Sequence, residues 1–142
     1  MERSQIMARV RGKDTTPEMR VRRALWRAGL RYRLHDVSLP GRPDVVFPRH
    51  RLALFVHGCF WHRHHGCKRA SMPSSNIGYW TAKFDRNVRR DAAVQAELAR
   101  LGWRVLVVWE CETKTNDQLD VVVATVMALM ARGGAAASTT PS

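Results

Sequence analysis

The segment from residue 57 to residue 67, His-Gly-Cys-Phe-Trp-His-Arg-His-His-Gly-Cys, constrains this chain more than any other. It holds four of the six histidines and two of the three cysteines of the 142-residue chain. Imidazole and thiolate are ligands that zinc prefers, and imidazole is also the usual proton-transfer group near neutral pH. The surrounding loop has little apolar content of its own, so we expect a bound metal to fold it.

Four side chains in and beyond this segment match the pattern of a structural zinc site. Cys59, His64 and Cys67 are close in the sequence, and Cys111 follows a strongly apolar segment from which a loop can bring it to them. Together they would form a closed Cys3His set. His65 is an alternative to His64, because both lie within reach of Cys67, and the alternative for Cys111 is a buried thiol at the end of a strand.

The charge of the chain indicates a polyanionic partner. Lys plus Arg number 24 against 12 acidic residues, which gives a formal net charge of +12 and a pI near 11.1. Nucleic acid is the first candidate, and an anionic membrane surface is the alternative. There is no apolar run long enough to span a bilayer and no signal-peptide pattern, so we expect a soluble protein of the cytoplasm that works at the nucleoid.

The hydrophobic pattern predicts one α/β domain over residues 15–132, with a basic arm at 1–14 and a disordered tail at 133–142. The predicted element order is α-β-β-β-α-β-α: a helix from 15 to 29, strands at 31–37, 44–47 and 52–56, a helix over 77–101, a strand at 103–109 and a helix over 117–130. The three consecutive strands can pair as a meander, whereas the last strand needs a helical crossover. Trp26, Trp103 and Trp109 are expected in or near the core.

Asp44 follows a tight turn and opens a strand, and Glu18 lies on the preceding helix. This pattern is typical of metal-dependent nucleases of the PD-(D/E)xK type, in which the aspartate holds a hard divalent cation at the scissile phosphate. The second acidic residue and the lysine of that motif are missing. We therefore expect His57 and His62 to stand in for them. The alternative is that Asp44 only caps amides of its turn.

Four longer motifs occur in a fixed order: Leu39-Pro-Gly-Arg-Pro-Asp44, His57-Gly-Cys-Phe-Trp-His62, Asn87 through Arg90-Asp91, and Leu101-Gly-Trp-Arg-Val-Leu-Val-Val-Trp-Glu-Cys111. With them the chain resembles the very-short-patch repair (Vsr) endonucleases over residues 3–130. The resemblance implies a restriction-endonuclease-like core, with a mixed sheet flanked by helices and a structural zinc. It also implies a magnesium-dependent enzyme that nicks DNA on the 5′ side of the thymine in a T·G mismatch, which arises when 5-methylcytosine deaminates.

The same resemblance implies roles for individual residues. Asp44 and the backbone carbonyl of Val56 would bind magnesium. His62 would activate the attacking water, with Asp91 orienting its other ring nitrogen. His57 would assist at the phosphate or the leaving group.

Glu18 would approach this site from the first helix, and the zinc ligands of the family match Cys59, His64, Cys67 and Cys111. The loop carries one more residue between the His pair and the second cysteine than the family pattern has. The choice between His64 and His65 therefore stays open.

The resemblance also implies how DNA is held. Phe60, Trp61 and Trp80 would wedge into the duplex beside the mismatch, where stacking on bases contributes about 1–3 kcal/mol per base. The alternative is that these rings pack the sheet edge and the start of the long helix. Lys83 and Asn87 match positions that contact the mismatched bases.

Further contacts are expected from the basic residues. The arm, with Met7 and Arg9, would lie in a groove of the DNA. Five arginines are expected at phosphates, or as solvated surface charges: Arg22, Arg23, Arg86, Arg89 and Arg90.

Two other functions fit parts of the pattern. A double-strand restriction endonuclease would share the same fold and acidic site, and a zinc-stabilised DNA-binding module would use the acids and histidines structurally only. The leading prediction remains a mismatch nicking enzyme that acts as a monomer on double-stranded DNA, with mismatch-repair proteins as possible partners.

Overall fold

The computed structural model describes residues 15–60, 62–64, 66–67 and 71–136. The predictions made above for Met7, Arg9, Trp61 and His65, and for the basic arm, lie outside the described residues. The described helices and strands are α1 (Thr16–Arg27), β1 (Arg33–Leu34), β2 (Val45–Phe47), β3 (Leu52–His57), α2 (Ile77–Arg100), β4 (Arg104–Trp109) and α3 (Asn116–Ala136). The predicted order α-β-β-β-α-β-α is confirmed.

The four strands form one mixed sheet in the order β1-β2-β3-β4. The first three strands pair antiparallel as a meander, with Val45 opposite Leu54. β4 lies parallel to β3, with His57 opposite Trp109, so α2 forms the crossover between them. Both predictions about strand pairing are confirmed.

Helices cover both faces of this sheet. α1 and α3 pack on one face, where alternate residues of β3 meet them, and the buried cluster there is Val21, Leu25, Val45, Phe47, Leu52, Leu54, Val108, Leu119, Val122 and Val126. The intervening residues Ala53 and Phe55 face α2, where they pack with Leu98. The strict alternation along β3 is what a strand covered on both faces requires.

Two predicted boundaries differ from the structure. The strand predicted at 31–37 is reduced to Arg33–Leu34, because His35 adopts a left-handed backbone conformation (φ 47°) and the chain then turns. In that turn Asp36 accepts hydrogen bonds from the backbone and the hydroxyl of Ser38. The last helix continues to Ala136, past its predicted end at 130, and residues 137–142 lie outside the described range.

The prediction that Trp26 lies in or near the core is wrong. Its side chain is 52% exposed, because Val21 and Leu25 occupy the inward face of α1 and Trp26 is about 100° away from Leu25 around the helix. The guanidinium carbon of Arg31 instead lies 3.4 Å from the centroid of the Trp26 ring. The indole also packs edge-on against Tyr32. Trp26 thus lies on the solvent-exposed side of α1, at the C-terminal end of the helix.

The parallel pair β3–β4 determines where functional residues can meet. Its two strands end at the same edge of the sheet, so the loop after His57 and the turn after Trp109 lie side by side. β2 runs antiparallel to β3, and its first residues therefore start at that edge as well. The turn before Asp44 lies against α2, since a Cβ at Gly41 (φ 73°) would overlap the side chain of Val94. No helix in the described part of the chain is long and apolar enough to cross a membrane.

Candidate active site and metal centre

The four predicted zinc ligands meet at this edge of the sheet. The ligand atoms of Cys59, His64, Cys67 and Cys111 all lie within 4.8 Å of one another. The Nδ1 atom of His64 is 3.6 Å from the sulfur of Cys59 and 3.4 Å from that of Cys111. A tetrahedral zinc with ordinary Zn–S and Zn–N bonds would separate sulfur and nitrogen by about 3.5 Å. The residues present therefore fit a zinc ion, and we call them the Cys3His cluster.

The environment of these thiols also favours a bound cation. All three cysteines are free thiols. Burial, together with the hydrogen bonds that the Cys59 thiol donates to the sulfurs of Cys111 and Cys67, raises the pKa of Cys59 to about 12. Thiolates are the form that binds metal, and thiols crowded in this way ionise when a cation supplies the compensating charge.

Short-range backbone hydrogen bonds fold the loop after β3 and place these ligands close together. The backbone N–H of His62 donates to Gly58, that of His64 to Cys59, and that of Cys67 to His64. The imidazole of His64 stacks on Trp109 with a centroid separation of 4.2 Å.

A second group of side chains lies on the other side of Trp109. His57 packs edge-on against this indole at 5.3 Å, and its ring stacks on that of His62 at 3.9 Å. The Nδ1 atom of His62 lies 2.6 Å from Oδ2 of Asp91, which comes from the middle of α2. If Nδ1 carries the proton, Nε2 of His62 has a free lone pair and can accept a proton from water.

The two histidines differ in burial and in their partners. His57 is buried, and this burial, followed by the charge of His62, lowers its pKa to about 4. His57 is therefore uncharged at neutral pH and acts as a hydrogen-bonding ring. His62 is partly exposed and paired with a carboxylate, so it is the better candidate for proton transfer.

The acidic residues form the third group. Asp44 accepts a hydrogen bond of 2.7 Å from the backbone N–H of Val56, and Glu18 is 1% exposed. Oε2 of Glu18 contacts both the guanidinium of Arg22 (2.9 Å) and Nε2 of His35 (2.7 Å). Arg22, which we expected at a DNA phosphate, is thus engaged by Glu18. The structure places Val56 next to Asp44, and the role of its carbonyl stays a prediction.

The burial of Asp44 beside a second carboxylate favours binding of a cation. Burial, followed by the charge of Glu18 and a hydrogen bond with it, raises the pKa of Asp44 to about 7, although the N–H of Val56 and the charge of His62 act in the opposite direction. Two neighbouring carboxylates out of water repel each other, and a divalent cation relieves this repulsion. Carboxylate oxygens are also the ligands that Mg²⁺ prefers, so these residues fit a magnesium ion. We call Glu18, Asp44, His57, His62 and Asp91 the acid–histidine site.

An aromatic cluster borders the loop and the start of α2. Phe60 lies 5.8 Å from Trp80 and 5.1 Å from Phe84 between ring centroids. The guanidinium of Arg63 lies over Phe84 at 3.9 Å and donates to the carbonyl oxygens of Phe60 and Ser71. Lys83 and Asn87 occupy the same helix one turn apart, and both are partly buried.

Sequence reasoning missed three of these residues. Phe84 follows Trp80 by four positions on a helix, a spacing that could have revealed it. His35 and Arg63 carry no local signal, because their partners lie in other elements or come together only when the loop folds.

Comparisons with known proteins identify the family of this chain. The family model described as DNA mismatch endonuclease Vsr matches residues 1–69. The chain is 50% identical over 118 residues to the type II nicking enzyme V.XorIIP of Xanthomonas oryzae, which covers 83% of this chain and 86% of that protein. It is 43% identical over 117 residues to the DNA mismatch endonuclease Vsr of Escherichia coli, covering 82% of this chain and 74% of that protein. The predicted family is confirmed: this chain belongs to the Vsr family of DNA mismatch endonucleases, nucleases that act on the phosphodiester bonds of DNA.

Proposed function

We propose that this protein nicks one strand of duplex DNA on the 5′ side of the thymine in a T·G mismatch, with magnesium at the acid–histidine site and zinc in the Cys3His cluster. The observation that carries the proposal is the pairing of His62 with Asp91 at 2.6 Å, beside the buried carboxylate of Glu18 and the partly buried carboxylate of Asp44. A proton acceptor next to a cation-binding pair of acids is what hydrolysis of a phosphodiester requires. This arrangement also supports a restriction-endonuclease-like core.

In this proposal each protein group has a separate task. Nε2 of His62 accepts a proton from the water that attacks phosphorus, and Asp91 holds Nδ1 of the imidazole and stabilises the cation that forms. Asp44 and the backbone carbonyl of Val56, with Glu18 beside them, would hold the magnesium, which would neutralise charge on the phosphate. As the new P–O bond forms, the P–O bond on the 5′ side of the thymine breaks. The neutral ring of His57 donates a hydrogen bond to the phosphate or the leaving oxygen, and the leaving oxygen takes up a proton from solvent water.

Recognition of the mismatch is assigned to the neighbouring aromatic cluster. Phe60 and Trp80 lie on the loop and helix that also carry His62 and Asp91, so a ring inserted in the duplex would set the position of the scissile phosphate. We include Trp61 in this wedge, and Lys83 and Asn87 as contacts to the mismatched bases, on the strength of the resemblance. Unstacking a step costs a few kcal/mol, less at a mismatch, and stacking on aromatic rings can offset that cost.

The high positive charge supports double-stranded DNA as the substrate. All the groups of both sites described here come from one chain, which supports action as a monomer. We further propose that the nicked product is passed to DNA-repair proteins at the nucleoid.

A nicking assay tests the proposal directly. Duplexes with T·G or T·A at one position are incubated with enzyme and Mg²⁺, and each strand is labelled separately. We expect a nick in the thymine strand of the T·G duplex, and none with the Asp44→Asn variant. Cleavage of both strands of the T·A duplex would instead indicate a double-strand restriction endonuclease, and binding without cleavage would indicate a DNA-binding module.

A further inference from the structure

His35 has no role among the residues assigned so far, although it lies beside both carboxylates of the acid–histidine site. Its Nε2 atom is 2.7 Å from Oε2 of Glu18. Its backbone N–H donates to the carbonyl oxygen of Asp44 at 3.2 Å. One residue therefore ties the helix that carries the first acid to the strand entry that carries the second.

Arg22 and His35 constrain the Glu18 side chain in different ways. Arg22 lies one turn further along the same helix, so its contact with Glu18 moves with α1 and fixes nothing relative to the sheet. His35 comes from the segment after β1, a different element. Its contact ties the carboxylate of Glu18 to the sheet edge where Asp44 begins, in addition to the hydrogen bond between the two acids.

The surroundings of this contact make it specific. Glu18 is 1% exposed and the side chain of His35 is 13% exposed, so water competes little for either group. A buried carboxylate is costly unless donors satisfy it. The backbone of His35 has a φ of 47°, which is uncommon for a residue other than glycine, and the turn that follows is held by Asp36 and Ser38. The imidazole is thus presented to Glu18 by an ordered turn.

We propose that His35 is a positioning residue for the nicking reaction: it holds the Glu18 carboxylate against Asp44, so that the two acids form a preorganised cation site. This rests on the proposed function, since it assigns His35 a part in the same site. His35 acts through Glu18 and touches neither the DNA nor the reacting water. Loss of such an outer contact typically costs about 10–100-fold in metal affinity or activity.

The test compares variants at position 35 that differ in their ability to donate a hydrogen bond. His35→Leu keeps the volume and removes the donor, whereas His35→Gln retains an N–H that can reach Glu18. With the T·G duplex we expect His35→Leu to lower kcat about 10–100-fold and to raise the Mg²⁺ concentration for half-maximal rate, with KM for DNA unchanged. His35→Gln should recover most of the loss. His50→Leu, at the opposite end of β3, is the matched control and should behave as the wild type.

A merely structural role would lower the melting temperature without changing kcat or Mg²⁺ dependence per folded molecule. That result, or a glutamine variant as impaired as the leucine variant, would overturn the proposal. His35→Ala is measured in parallel, so the comparison with glutamine remains decisive if leucine is not accommodated. If the wild-type protein itself shows no Mg²⁺-dependent nicking, the proposed function fails and not the role of His35.

A double-mutant cycle with Glu18→Gln tests the route of the effect. If His35 acts through Glu18, His35→Leu should cost little further activity in the Glu18→Gln background. Independent, multiplying losses in the double variant would show that His35 does not act through Glu18, and would also contradict the proposal.

Discussion

The Cys3His cluster and the acid–histidine site share one edge of one sheet and are separated by a single indole, yet they are built in opposite ways. The cluster has four soft ligands that face one another, with His64 placed between two sulfurs at 3.4 and 3.6 Å. The acid–histidine site has hard oxygen ligands on one side and a proton acceptor on the other. A closed set of four ligands leaves no position for water, whereas chemistry requires an open one. This contrast supports the structural role that we propose for the first region and the catalytic role that we propose for the second.

Trp109 is the physical link between the two regions. His64 stacks on it at 4.2 Å and His57 packs edge-on against it at 5.3 Å. A metal that orders the loop would therefore also fix the rings that face the DNA. The two regions have separate chemistry but share contacts to Trp109. Substitutions in the Cys3His cluster should therefore disturb both regions, and substitutions in the acid–histidine site should disturb that site alone.

The largest effect is expected from removing a ligand of the cluster. Cys111→Ser should lower the zinc content and unfold the loop, because structural zinc contributes on the order of 10 kcal/mol to folding of such segments. Nicking should be lost with it, since Phe60 and His62 lie on that loop. Zinc content and circular dichroism check this result, and Val121→Ser, at an exposed position of α3, is the control. Full zinc retention in Cys111→Ser would contradict the assigned ligand set.

The next effect concerns proton transfer. His62→Ala should lower the single-turnover nicking rate about 10²–10⁴-fold, the usual contribution of a general base. Asp91→Asn should give a smaller loss, because the ring remains but its orientation and its cationic form are less well supported. Zinc content should be unchanged in both. A His62→Ala variant that nicks at the wild-type rate would separate His62 from the chemistry.

The raised pKa of Asp44 predicts a dependence of magnesium binding on pH. The pKa of Asp44 is about 7 without metal, so a proton competes with Mg²⁺ below that pH. The apparent Mg²⁺ affinity should fall by about tenfold for each pH unit below 7 and level off above it. The Mg²⁺ concentration for half-maximal nicking, measured from pH 5.5 to 8.5, checks this. A flat profile over this range would mean that Asp44 is already ionised or does not bind the cation.

The same pKa values predict opposite effects on stability. Asp44 keeps its proton longer when folded, so without metal its contribution to stability decreases as pH rises from about 4 to 7. The pKa of His57 is lowered to about 4, so its contribution decreases in the other direction, as pH falls from 6.5 to 4. Comparing the pH dependence of melting temperature in wild type and Asp44→Asn isolates the first effect from the second.

The smallest effect is expected at the aromatic cluster beside the loop and the start of α2. Arg63 covers Phe84 and bonds the carbonyl of Phe60, and a contact of this kind contributes about 1 kcal/mol. Arg63→Met should therefore reduce the preference for T·G over T·A by about fivefold with little change in zinc content. Arg49→Met, an exposed arginine before β3, is the control. An unchanged preference would remove Arg63 from the support of the wedge.

How far the sequence could predict these features depends on the distance along the chain between the partners. Spacing alone suggested Cys59, Cys67 and one of the two neighbouring histidines His64 and His65 as metal ligands, and the hydrophobic period gave the order of helices and strands. Asp44 and His62 were candidates from the residue pattern, but their individual roles required the resemblance to a family, because a lone aspartate after a turn has many explanations. The contact between His35 and Glu18 spans 17 positions and depends on a left-handed turn that no pattern indicates.

Boundaries and exposure were also beyond the sequence where local chemistry competes with pattern. The first strand is cut short by the turn after His35. Trp26 lies outside the inward face of α1, which Val21 and Leu25 occupy, and its exposed indole packs against Arg31.

The measurement that tests the central claim most directly is zinc content and nicking rate in the same preparations of Asp44→Asn and Cys111→Ser. If the two regions have separate tasks, Asp44→Asn retains one zinc per chain, remains folded and binds the T·G duplex, but does not nick it. Cys111→Ser loses zinc, folded loop and activity together. An Asp44→Asn protein that nicks normally, or a Cys111→Ser protein that retains its zinc, would contradict the account.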